Sequence, residues 1–113
     1  MTSSGGRLAV EATAALVAVD VDTAGGFGGG DGLTANLEAA RELPRQLRLR
    51  GLGGQVVVDF APVPKKDRRR VEDALATAFR RDPVETSLHG WTTMGLFEIQ
   101  RKRERRPLLE LID

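Results

Sequence analysis

The segments Ala14-Ala15-Leu16-Val17-Ala18-Val19-Asp20 and Gln55-Val56-Val57-Val58-Asp59-Phe60 decide how this chain folds. Both are apolar runs of strand length, and the second is β-branched through its centre. Between them, Leu33, Leu37, Ala40, Leu43 and Leu47 recur at intervals of three and four, with Arg41, Arg45 and Arg48 off that stripe. This pattern predicts an amphipathic helix from Leu33 to Arg50. A strand, a helix and a strand in this order predict a parallel strand pair with a right-handed crossover. Pro44 is expected to kink or split the helix, because proline removes an internal hydrogen bond. Gly51, Gly53 and Gly54 then stop it.

Working outward, the alternating stretch Arg7-Leu8-Ala9-Val10-Glu11 predicts a strand joined by a tight turn to Ala14–Asp20. The nearly unbroken apolar character of Ala14–Asp20 predicts a strand covered on both faces. Downstream, Pro64 precedes a second helix, Lys65 to Arg81, with Val71, Leu75, Ala78 and Phe79 on one stripe. Val84 to Leu88 and Leu96 to Arg101 read as two further strands. The resulting order, strand, strand, helix, strand, helix, strand, strand, predicts an α/β domain with a mixed β-sheet and two main helices. A length of 113 residues suits a single domain, 1–113.

Composition excludes several chemistries. The absence of cysteine rules out disulfides, thiolate zinc sites and a cysteine nucleophile, and a lone His89 cannot build a multi-histidine metal site. The longest apolar run, Ala14 to Val19, falls far short of the roughly 20 residues that span a bilayer. The first six residues lack a secretory pattern, so a cytoplasmic location is expected. Charge is unevenly spread. Residues 1–64 hold five basic and seven acidic groups, whereas residues 65–106 hold twelve basic and seven acidic groups. An acidic front and a basic back suit a polyanion held near a metal-binding edge, and a solvated face explains them equally.

The crossover carries the chemistry. Asp20 ends its first strand and Asp59 nearly ends its second, so adjacent parallel strands bring both carboxylates to one carboxyl edge, where open α/β sheets bind ligands. Asp22 points to the same side if the chain stays extended. Converging carboxylates repel unless a cation or protons neutralise them, and magnesium commonly takes one or two carboxylates, several waters and a substrate phosphate. The alternative is that these aspartates cap strand ends and turns.

Val19-Asp20-Val21-Asp22-Thr23, Asn36-Leu37-Glu38-Ala39, Arg45-Gln46-Leu47-Arg48-Leu49-Arg50-Gly51-Leu52-Gly53-Gly54 and Val57-Val58-Asp59-Phe60 resemble the ribonuclease E/G family in order and spacing. Gly95-Leu96-Phe97-Glu98 and Arg101-Lys102-Arg103 are also similar. The resemblance implies a DNase I-like catalytic subdomain of a magnesium-dependent endoribonuclease that cuts single-stranded RNA, with manganese as a substitute ion. It carries the family's two magnesium-binding aspartates onto Asp20 and Asp59, and a supporting asparagine onto Asp22, where the amide has become a carboxylate. The 113 residues are expected to hold none of the RNA-binding barrel, 5′-end sensor, RNase H-like subdomain and zinc link of full-length relatives, as either an excised catalytic subdomain or a natural short relative would. Other chains supplying those parts, or self-association into a homo-oligomer, are the expected partners beside RNA. The competing reading is a non-catalytic RNA-binding or assembly module on the same scaffold.

Three basic sets are candidates for phosphate contact: Arg45, Arg48 and Arg50; the run from Lys65 to Arg70; and Arg101, Lys102 and Arg103 with Arg105 and Arg106. The glycine loop Ala24–Gly32 lacks the Gly-Lys-Ser/Thr of a nucleotide-binding loop. It is read as a flexible segment beside the carboxylates, with Phe27 either stacking on a base or tucked into the core.

Overall fold

The computed structural model describes residues 7–22 and 32–103. It contains β1 (Arg7–Ala12), β2 (Val17–Asp22), α1 (Gly32–Arg50), β3 (Gly54–Asp59), α2 (Lys65–Arg80), β4 (Thr86–Trp91) and β5 (Phe97–Arg101). The element order matches the sequence reading, and the strands form one five-stranded sheet in the order β1-β2-β3-β5-β4. β2 and β3 are parallel, joined by α1, and every other pairing is antiparallel. Boundaries shift by a few residues. Ala14 and Ala15 fall in the β1–β2 turn rather than in a strand, where the Thr13 hydroxyl accepts from the N–H groups of Ala15 and Leu16.

Period-two alternation gives the sheet one wet face and one dry face. Val17, Val19, Val21, Val56, Val58, Phe97 and Ile99 are buried, and they join Leu43 and Leu47 of α1 and Val71, Leu75 and Phe79 of α2 in one hydrophobic core. Ala18, Asp20, Gln55 and Asp59 alternate with them and are exposed. Among the described residues β2 is therefore covered on one face only, contrary to the two-sided burial predicted from its apolar run. The reason is compositional: the outward positions hold alanine and aspartate, which gain little from a covering layer.

Pro44 neither splits nor ends α1, which runs as one element from Gly32 to Arg50 with Pro44 buried inside it. Helix propensity is a weak term beside tertiary packing, and the buried side chains flanking Pro44, Leu43 and Leu47, hold both halves of the helix on the same core.

Arg101 ends β5 on the dry face, 1% exposed. Its guanidinium donates to the Asp82 carboxylate at 2.6 Å, and that carboxylate is itself fully buried. The other Asp82 oxygen accepts from Arg48 at 2.6 Å, with the Arg48 side chain 45% exposed. One carboxylate thus ties the end of α1 to the α2–β4 connection and to β5. Gly54 lies opposite Arg101 with φ +87°, and a Cβ there would approach the Arg103 guanidinium to 2.6 Å.

Two stability outcomes follow from these contacts. Asp82→Ala strands a buried guanidinium and should cost about 3–5 kcal/mol, whereas Arg48→Ala removes only the wet arm and should cost about 1 kcal/mol or less; urea unfolding of the two variants checks the ratio. Gly54→Ala should cost about 1–2 kcal/mol because an L side chain disfavours this backbone conformation, read by the same titration.

Candidate active site

The parallel ladder between β2 and β3 runs from Val17 opposite Val56 to Asp20 opposite Asp59. The two aspartates are register partners one strand spacing apart, about 4.8 Å. Both are exposed on the face opposite α1 and α2. Two oxygens sharing one cation at about 2.0–2.1 Å each lie within about 4 Å of one another, a separation within reach of two side chains so placed. The sequence expectation that Asp20 and Asp59 emerge together therefore holds in the backbone register.

Around the pair lies a shallow depression of about 380 Å³, lined by Ala9, Ala18, Val57 and Leu96 as well as by both aspartates. Small side chains floor it, because β1 sets Ala9 opposite Asp20 and β2 contributes Ala18. Glu11 also lines the depression, and Glu98 stands opposite Val57 on β5, so further carboxylates flank the pair on the same face. Diagonal neighbours of this kind are about 7–8 Å apart. Among the described residues, no group of three His, Cys, Asp or Glu residues is placed to hold a metal ion. The donor set is thus two carboxylates, which suits magnesium and its retained waters and does not suit a structural zinc site, which calls for four ligands.

Asp22 is the last residue of β2, with its backbone opposite Arg7; its side chain, the glycine loop with Phe27, and Arg105 and Arg106 lie outside the described residues.

The basic candidates are set apart from the carboxylates. β3 runs from Gly54, opposite Arg101, to Asp59, and five strand steps of about 3.3 Å separate the two ends by about 17 Å. Arg101, Lys102 and Arg103 therefore sit at the end of the sheet away from the aspartates, beside the last turn of α1 with Arg48 and Arg50. Arg101 is withdrawn from any phosphate role by burial and by its bond to Asp82. Lys102 and Arg103 are exposed. Arg50 contacts Gln46, and Arg45 bonds Glu42 at 2.7 Å. Burial opposes ionisation of Glu42, yet hydrogen bonds from Gln46 and Arg45, with the Arg45 charge, outweigh it and hold that carboxyl below its ordinary range. Arg45 and Arg48 line a groove of about 560 Å³ between the two helices, along with Arg41 and Arg81. That groove belongs to the helical layer, across the sheet from the aspartates.

His89 is exposed, beside an irregularity in the β4–β5 pairing. Trp91 is structural: its ring packs against Phe60 and Phe97, its N–H donates to Glu72 at 2.6 Å, and Arg68 lies over it at 4.7 Å.

One residue that the sequence reading gave no role stands next to this site. Asn36 of α1 is fully buried, and both ends of its carboxamide bond the backbone of Ala61, two residues beyond Asp59. Its signal in the sequence was a polar residue on the inward side of an apolar helix, which marks a buried polar group in need of partners.

A family model described as the Ribonuclease E/G family matches residues 1–104. Ribonuclease G of Escherichia coli K12 is 41% identical over 111 residues, covering 93% of this chain and 22% of that protein. Ribonuclease G of Salmonella typhimurium SL1344 is 43% identical over 108 residues, covering 90% and 22%. Ribonuclease E of Escherichia coli K12 is 41% identical over 105 residues, covering 88% and 10%. The chain thus spans about a fifth of the ribonuclease G proteins it matches and about a tenth of this ribonuclease E. A match over nearly the whole chain, on a scaffold whose parallel strands end in paired aspartates, makes this protein a member of the ribonuclease E/G family.

Proposed function

We propose that residues 1–113 act as the catalytic unit of a magnesium-dependent endoribonuclease that hydrolyses phosphodiester bonds of single-stranded RNA. The observation that carries this reading is the in-register placement of Asp20 and Asp59, both exposed on the sheet face opposite the two helices. Family membership supports RNA as the substrate class, and the open, shallow depression is consistent with it, since an extended strand can lie across it without threading an enclosed pocket.

Asp20 and Asp59 would hold the ion, and the ion, when bound, would polarise the phosphoryl group and lower the pKa of a coordinated water. The protein's own contribution is positional. The backbone ladder holds the two carboxylates one strand apart, so their mutual repulsion is built in and is relieved by a divalent cation. Asp22 would add negative charge at the end of β2, raising attraction for the cation and repulsion for a phosphate. Small residues beside the pair leave room for a sugar–phosphate backbone.

Incubation of the purified chain with a labelled, 5′-monophosphorylated single strand should give cleavage with magnesium and none with chelator. Asp20→Asn and Asp59→Asn should each lower the rate by about 100-fold or more, the scale on which the loss of one electrostatic element of a reaction site acts. Wild-type rates in either variant would refute the assignment. Salt-sensitive RNA binding with no cleavage in any condition would favour the non-catalytic module instead.

In a second experiment, titration of the chain with Mn²⁺ followed by electron paramagnetic resonance should show a site that both substitutions abolish. Binding that survives either substitution would place the ion elsewhere.

A further inference from the structure

Asp59 occupies an exposed position in the backbone ladder. Its parallel pairing with β2 stops at Asp59 itself, and the antiparallel pairing of β3 with β5 stops one residue earlier, at Val58 opposite Phe97. Beyond that point the chain turns away through Ala61-Pro62-Val63-Pro64 toward α2. Neither proline has an N–H with which to continue a ladder. A carboxylate at the frayed end of a strand would be free to drift with its backbone, and local openings of this kind have the lowest free energies in a fold.

The structure meets this with a contact from the neighbouring helix. Asn36 Nδ2 donates to the Ala61 carbonyl at 2.9 Å, and Asn36 Oδ1 accepts from the Ala61 N–H at 2.8 Å. A primary amide offers a donor and an acceptor side by side, so it satisfies both backbone groups of one residue just as a neighbouring strand would. The Asn36 side is fully buried and Ala61 half-buried, so the amide sits where hydrogen bonds are stronger than in water and an unmade one is costly. Two further contacts hold the same segment. Phe60, between Asp59 and Ala61, is buried against Trp91 and Phe97. Gly32, at the start of α1, lies so close to residues 61–63 that a Cβ there would come within 2.9 Å of the Pro62 carbonyl oxygen.

We infer that Asn36 is a positioning residue for the candidate cation site: its amide stands in for the missing ladder partner beyond Asp59 and fixes that carboxylate opposite Asp20. This rests on the reading of Asp20 and Asp59 as cation ligands. Asn36 does not touch the ion; it acts through the backbone of Ala61. Its substitution therefore belongs with outer-shell changes at metal sites, which typically weaken metal affinity by about 10–100-fold.

The test compares Asn36→Ala, Asn36→Asp and, as a control, Val71→Ala, a core truncation in α2 at a fully buried position. Each full-length variant is checked for folding by circular dichroism, then titrated with Mn²⁺ at a temperature well below its unfolding. Amide hydrogen exchange at Ala61 is followed in parallel. Asn36→Ala should exchange the Ala61 amide faster and bind Mn²⁺ about tenfold more weakly, while Val71→Ala, destabilised but with its clamp intact, should bind as wild type does. Asn36→Asp keeps an acceptor for the Ala61 N–H but loses the donor to its carbonyl. If Asn36→Ala does not fold, Asn36→Asp carries the same expectation of weakened binding. Wild-type Mn²⁺ affinity in a folded Asn36 variant overturns the positioning role alone. Equal weakening in Val71→Ala also overturns it, by assigning the effect to global stability. Absence of a Mn²⁺ site in the wild-type chain overturns the cation reading itself, and the clamp's role toward the ion with it.

Discussion

Parallel pairing of β2 with β3 is the constraint on which the rest of this molecule depends. Two strands of like direction cannot be joined by a tight turn, so the connection must cross the sheet, and α1 makes that crossing. The register of this pairing sets Asp20 against Asp59. A slip of one residue would turn Asp59 onto the helical face and bring a core valine into water. Burial of Val56 and Val58 therefore fixes the position of the carboxylate that follows them. The hydrophobic core is, in this sense, what brings two like charges together.

The sheet also separates charges. Carboxylates collect on the face opposite the two helices, with Glu11 and Glu98 flanking the central pair. Arginines collect on and beneath the helical layer, where Arg41, Arg45, Arg48 and Arg81 line the interhelical groove. Some of that positive charge is spent internally. Asp82 binds Arg101 in the core and Arg48 at the surface, closing the end of the sheet remote from the aspartates. The excess of basic residues in the second half of the chain is thus not all surface charge. A fraction of it is structural, and the primary sequence draws no line between the two.

Asn36 illustrates how site and scaffold meet. A buried amide on a helix is costly unless its donor and acceptor are both used, and here both are used on a single residue just past Asp59. Packing alone would seat α1 on the sheet. The amide adds a directional bond at the place where ladder bonds run out, which dispersion contacts cannot supply.

Much was legible in the linear chain. Apolar periodicity gives five strands and two helices in order, and the direction rule for crossovers brings Asp20 and Asp59 to one edge. Those inferences succeed because they depend on local period and on near-universal topology. Three features were not legible. Whether β2 is covered on one side or both depends on where α1 and α2 pack, and Ala18 and Asp20 show the answer only once both helices lie on the same face. Pro44 is tolerated inside α1 because tertiary burial outweighs the lost hydrogen bond. Arg101 reads as a candidate for phosphate contact and Asn36 as a residue without a role, until Asp82, 19 positions away from the first, and Ala61, 25 positions from the second, are brought against them. Period and direction are properties of neighbours along the chain, whereas the partner of a buried polar group is chosen by the fold.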